Sequence, residues 1–92
     1  MTTLLYTHPA CIAHDPGEFH PESPDRLRAV LAALAAGEFA ALERREAPRA
    51  EIDDIARVHP REFVEALLAA VPAEGYVGID PDTILSPASG EA

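Results

Sequence analysis

Residues 14 to 26, His-Asp-Pro-Gly-Glu-Phe-His-Pro-Glu-Ser-Pro-Asp-Arg, constrain the fold more than any other stretch of this chain. Three prolines and a glycine keep the backbone out of regular structure until the sequence reaches a helix start. Ser23 takes the N-cap position, where its hydroxyl accepts a backbone N–H. Pro24 at the first helical position loses no bond, and Asp25 suits the positive end of the helix dipole. Leu27, Val30, Leu31 and Leu34 follow at i, i+3, i+4 and i+7, which predicts a helix with one apolar stripe, stopped by a left-handed Gly37. A polar, turn-rich loop fastened to a helix in this way is where function usually resides.

On either side of that anchor the chain alternates short elements with loops. Thr2 to Tyr6 is a β-branched and aromatic run that predicts a short strand, ended by His8-Pro9. Residues 8 to 24 carry four prolines and predict one long loop. Glu38 to Glu43 predicts a short turn or helix, and Glu51 to Val58 has a helix-compatible pattern in Ile52, Ile55, Ala56 and Val58. Pro60 opens a third helix with Phe63, Leu67, Leu68 and Val71 on one face and Arg61, Glu62 and Glu65 on the other. From Pro72 to Pro87 the prolines and glycines predict an extended loop. Ser86 to Ala92 reads as the first turn of a helix with no apolar stripe to hold it, as though the chain were truncated. No repeat or internal domain boundary divides the 92 residues.

Composition excludes several classes. The formal charge is −9 and every cation other than histidine is arginine, which argues against nucleic-acid binding. The acidic balance suits solubility first and cationic partners second. One cysteine, Cys11, permits no internal disulfide, no apolar run is long enough to span a membrane, and the N-terminus lacks the basic head of a signal peptide; a cytoplasmic location is expected. Much of the 48% hydrophobic content is alanine and there is no tryptophan, so an independent fold would be modestly stable.

Few residues offer chemistry by themselves. His8, Cys11, His14 and His20 fall within thirteen residues, and a transition-metal site is the sharp reading. The C-x2-H-x5-H spacing lacks the paired geometry of a zinc site, so hydrogen bonding within the loop is the favoured alternative. A thiol nucleophile built from Cys11 and His14 has no oxyanion donor. Asp80-Pro81-Asp82-Thr83 lacks the later glycine and glutamate of a calcium loop and is better read as a turn. There is no phosphate-binding glycine loop, nucleophile elbow or H-E-x-x-H helix.

Four stretches nevertheless stand in a telling order: Thr3 to His8, then His14-Asp15 through His20-Pro21-Glu22 and Pro24 to Arg26, then Arg57-Val58-His59 with Glu62-Phe63-Val64, and finally Ile79 to Ser89. Together they resemble the opening of the zinc-dependent histone deacetylase and acetylpolyamine amidohydrolase family, whose first strand leads into an HD-x-G-x-x-HPE-x-P-x-R loop. The lysine-free, alanine-rich composition suggests a bacterial member.

The resemblance implies an α/β, arginase/deacetylase-like fold, of which residues 1–92 would form the N-terminal portion: one short strand, about three helices and long loops. It implies zinc-assisted hydrolysis of acetyl-amide bonds in acetyl-lysine or acetylpolyamines. Carried over by position, Arg26 matches an arginine near the inner end of the pocket, on the acetate exit route. Such a guanidinium would be buried and bidentate; a salt bridge to Glu22 or Asp25 is the plainer alternative. Asp82 and Thr83 fall at the rim loop that accepts a hydrogen bond from the substrate amide. His14, Asp15, His20 and Glu22 match architectural positions. The family's zinc ligands, tandem histidines and tyrosine would lie beyond Ala92, so no catalytic or metal residue is assigned in this chain, no zinc is expected on it alone, and alone it should be inactive. The alternative from another class is a stand-alone helical module without chemistry that binds a partner through the Leu27–Leu34 and Phe63–Val71 faces; on the fragment reading those faces, left open, would make the chain alone a homo-oligomer.

Overall fold

The computed structural model describes residues 1–92. Strand β1 (Leu4–Thr7) pairs in parallel with β2 (Glu43–Glu46), Leu4 opposite Glu43 and Thr7 opposite Glu46. Parallel partners need a long crossover. Here it carries helix α1 (Ala10–Ala13), helix α2 (Pro24–Leu34) and a single 3-10 turn, Gly37–Phe39. Helices α3 (Ile52–Ile55) and α4 (Arg61–Ala70) follow, and the chain closes with an antiparallel hairpin of β3 (Val77–Asp80) and β4 (Thr83–Leu85). The mixed α/β architecture agrees with the expected class, and no helix is long and apolar enough to cross a membrane.

Several local expectations are corrected. The loop over residues 8 to 24 is interrupted by α1, which Pro9 opens and which His8 caps by accepting the Ala10 N–H on Nδ1 at 3.0 Å. Helix α2 starts where expected, but the Ser23 hydroxyl makes no capping bond; its backbone carbonyl instead accepts the Arg26 N–H at 3.1 Å. The helix stops at Leu34, before Gly37, which is not left-handed; positive φ occurs at Gly17 and Gly75. Where a turn or helix was expected over Glu38 to Glu43, the chain makes the 3-10 turn and then enters β2.

Strand β2 reads Glu-Arg-Arg-Glu and is exposed throughout, so it has no apolar alternation to announce it. It forms because β1 supplies the ladder: Glu43 N–H donates to the Thr3 carbonyl at 3.0 Å and Ala47 N–H to that of Thr7 at 2.8 Å. Its arginines fasten the surroundings. Arg44 donates to the Leu34 carbonyl at the negative end of α2, and Arg45 pairs with Glu43 at 3.0 Å. That carboxylate, helped by the Tyr6 hydroxyl and opposed by desolvation, raises the Arg45 pKa.

The extended loop expected from Pro72 to Pro87 is largely a hairpin. Val77 faces Leu85 and Gly78 faces Ile84, with an irregularity before Asp80 meets Thr83. Pro81 is tolerated because it occupies the turn, where no ladder bond is needed. The Asp80 carboxylate completes that turn, accepting from the Asp82 N–H at 2.8 Å and the Thr83 hydroxyl at 3.1 Å, as the turn reading of this tetrapeptide requires.

Helix α4 forms as read, yet its innermost residue is Val64 at 5% exposure, while Phe63 and Leu68 of the expected stripe remain 50% and 41% exposed. Only five of the 92 residues are buried, and α2 contributes none of them. The radius of gyration is 15.4 Å, against about 12 Å for a compact domain of this length. The chain is an open layer, thinnest at 20 Å, with its apolar helix faces largely unmet.

Candidate functional site

The polar loop announced by the sequence is the best-tied part of the molecule. Asp15 Oδ1 accepts the Gly17 N–H at 2.9 Å, and Gly17 turns the chain at φ +105°. A side chain there would be strained by the backbone alone, since a Cβ would sit 3.8 Å from the Tyr76 ring, an ordinary contact. Pro16, at the bend, is buried. The loop then returns through His20, whose Nδ1 accepts the Glu22 N–H at 3.0 Å.

Three contacts join this loop to the end of the chain. His20 Nε2 donates to the Asp82 carbonyl at 2.7 Å. Asp15 N–H donates to the Ser86 hydroxyl at 3.2 Å, and His14 Nδ1 meets Ser89 Oγ at 2.6 Å. Ser89 Oγ also accepts the Ser86 N–H at 2.8 Å, which fixes the turn after β4. Ser86 is 5% exposed and Leu85 7%, so the seam has a small dry centre.

Between loop and hairpin lies an open groove of about 600 Å³, lined by Gly17, Phe19, His20, Tyr76, Pro81 and Ile84. Phe19 is fully exposed and Tyr76 60% exposed at its edges. A second cavity of about 490 Å³ lies near the carboxyl ends of β1 and β2, with His8, Cys11, Ile55 and Leu68 in its wall.

Each residue singled out from the sequence has a place here. The Asp82 carboxylate, exposed at the hairpin tip, makes no hydrogen bond or ion pair, whereas the Thr83 hydroxyl is engaged by Asp80. Arg26 is 65% exposed and its Nε donates to both Glu22 carboxylate oxygens, at 3.0 and 2.9 Å. The surface pair is therefore what forms in this chain, and the buried guanidinium is not. Asp25 is taken by Arg28 at 2.8 Å.

His14, Asp15 and His20 are architectural, but His14 bonds across the chain to Ser89 and not within its loop. No three His, Cys, Asp or Glu side chains converge on a point that could hold an ion, so the residues of this chain do not by themselves fit zinc. Sequence reasoning missed Ser89 and Tyr76. The i, i+3 spacing of Ser86 and Ser89 directly after an apolar strand end was the available signal for the first.

No protein-family model matches the sequence, and no curated protein matches it. Among solved structures, the whole chain matches one described as the crystal structure of the HDA15 HD domain, with a TM-score of 0.81 at 24% sequence identity. It spans 28% of the length of that structure. The likeness shows the fold: these 92 residues are folded as a segment of a histone-deacetylase-like α/β domain.

Proposed function

We propose that the chain is the N-terminal segment of a zinc-dependent deacetylase that hydrolyses acetyl-amide bonds in acetylated amines such as acetyl-lysine or acetylpolyamines. The observation that carries this reading is the match of all 92 residues to the HDA15 HD domain fold, TM-score 0.81. The order of the HD, HPE-x-P-x-R, VH and D-x-D-T elements supports it independently. In such an enzyme a zinc ion would supply Lewis-acid polarisation of the amide carbonyl, and no residue of this chain is assigned to hold it.

This chain's own part is to bind and orient. The unengaged Asp82 carboxylate at the hairpin tip is free to accept the N–H of a substrate amide, while Thr83 supports the turn through Asp80. Arg26 is assigned to the acetate route; that role requires it to leave Glu22 or to hold acetate beside it. A cytoplasmic location accords with the single cysteine.

The test is acetate release by the whole protein from acetyl-lysine peptides and acetylpolyamines, with and without a zinc chelator. Release abolished by the chelator and restored by zinc is expected. No release from either substrate class, or release indifferent to the chelator, would sink the proposal. A second reading, a binding module without chemistry, draws on the exposed Val30, Phe63 and Leu68 faces; inactivity together with a stable stoichiometric complex would favour it.

A further inference from the structure

The geometry points to His20 as a positioning residue, a neutral imidazole clamp that holds the Asp82 turn against the 14–22 loop and so fixes the main chain that carries the Asp82 carboxylate beside the groove. The tautomer follows from its partners. The Glu22 backbone N–H can only donate, so Nδ1 must accept; the Asp82 carbonyl can only accept, so Nε2 must carry the hydrogen. At 2.7 Å the second bond is short for N–H···O, and it spans 62 residues of sequence. It is also the one hydrogen bond between the loop and the tip of the hairpin.

The arrangement leaves the groups at that tip unequal. Asp80 spends both carboxylate oxygens on the turn, and Asp82 uses its N–H and its carbonyl within the chain. The Asp82 carboxylate alone is uncommitted. With its main chain held from both sides, by Asp80 at the nitrogen and His20 at the carbonyl, the side chain is presented from a fixed base, which lowers the entropy lost when it binds a partner. Without His20 the tip keeps its internal Asp80 bonds but loses its reference to Phe19 and Gly17 on the opposite wall. His20 itself needs no contact with any substrate.

The inference that positioning matters for substrate rests on the proposed deacetylase reading; the clamp itself does not, and the experiment separates them. In the protein labelled with 15N-histidine, His20 is expected to show one nitrogen of acceptor type and a proton on Nε2, with a through-bond coupling to the Asp82 carbonyl. Exchange at the Glu22 amide, which donates to the His20 ring, is expected to quicken about tenfold in His20→Ala. His20→Gln, whose side-chain amide can both donate and accept, is expected to stay within about threefold of the parent. An Nδ1-protonated ring, a freely averaging ring, or equal exchange in all three proteins overturns the clamp.

In the whole protein, with an acetylated amine as substrate, His20→Ala is expected to raise KM about tenfold with kcat within about threefold, and His20→Gln to recover most of that loss. Equal loss of kcat in both variants, or an unchanged KM in His20→Ala, overturns the positioning role. Absence of acetate release from the parent protein overturns the deacetylase reading and the positioning role built on it, and leaves the clamp to be decided by its NMR signature.

Discussion

The two ends of the molecule are held together by opposite means. Along the seam, loop 14–22 and segment 80–89 are tied by three hydrogen bonds, each involving a side chain, that reach across 62 to 75 residues, and Leu85, Ser86 and Pro16 are buried beneath them. Across the helical layer the apolar residues are only partly met: α2 has no fully buried residue, Leu27, Leu31 and Leu34 being half-buried and Val30 exposed, and Phe63 and Leu68 of α4 stand half exposed. Parallel strands are ordinarily covered on both faces, yet β1 leaves Leu4 41% and Tyr6 49% exposed. The polar region is thus tied within the chain, and the apolar faces of the helical layer are left open. This asymmetry is what the proposed reading, an N-terminal segment of a larger α/β domain, predicts.

The strongest way to break that contrast is to study the 92-residue chain by itself. Exposed apolar faces of this extent favour self-association, so light scattering should report oligomers or a concentration-dependent mass, and heating should give a broad, weakly cooperative transition. A monomer with one sharp calorimetric transition would show that the helical layer is self-sufficient.

Within the seam, Leu85→Ala is expected to be the most damaging single change, costing about 2 to 3 kcal/mol through a cavity under Ser86. Val30→Ala, at a position 42% exposed on α2, should cost under about 1 kcal/mol in the isolated chain. Amide exchange reads both changes. If Val30→Ala proves the worse, the helical faces are already packed and the contrast fails.

The same contrast explains what could be read in advance. Helices α2 and α4 were legible because their apolar residues recur at helical spacing and each begins at a proline. The Asp80 turn was legible from local chemistry. Strand β2 was not, because Glu-Arg-Arg-Glu contains no apolar residue, and its structure comes from pairing with β1 some forty residues away. The hairpin was hidden by Gly78 and Pro81, which read as breakers although one lies at an irregularity in the pairing and the other in the turn. As for the site, the positions of His14, His20, Arg26 and Asp82 were suggested by resemblance. The bonds His14 to Ser89 and His20 to Asp82 could not be, since no local pattern encodes a contact across so much chain.

A smaller effect sharpens the account of the loop. Gly17 lies at φ +105°, a region nearly closed to residues with a Cβ, while the space beside it is open to 3.8 Å. Gly17→Ala should therefore cost about 1 to 2 kcal/mol through backbone strain alone. Gly37→Ala, at a glycine without positive φ and with nothing within 4 Å, should be neutral or slightly stabilising. Denaturant midpoints compare the two; equal costs would mean that the bend at Gly17 can relax and does not set the entrance to the groove.

The smallest stability effect is expected at Arg26, and there the outcome separates two roles for one side chain. Its bond to Glu22 is an i, i+4 pair on a residue 65% exposed, so Arg26→Lys should change stability by no more than about 0.5 kcal/mol. Lysine keeps the charge but loses the fork that holds a carboxylate through two nitrogens. If Arg26 serves only the surface pair, the whole protein carrying this change should release acetate at the parental rate. If the guanidinium also receives acetate on its way out, turnover should fall several-fold while stability is untouched, and added acetate should inhibit the parent more strongly than the variant. A loss of stability that matches the loss of turnover would instead return Arg26 to the helix start, as a residue that fastens α2 to its loop.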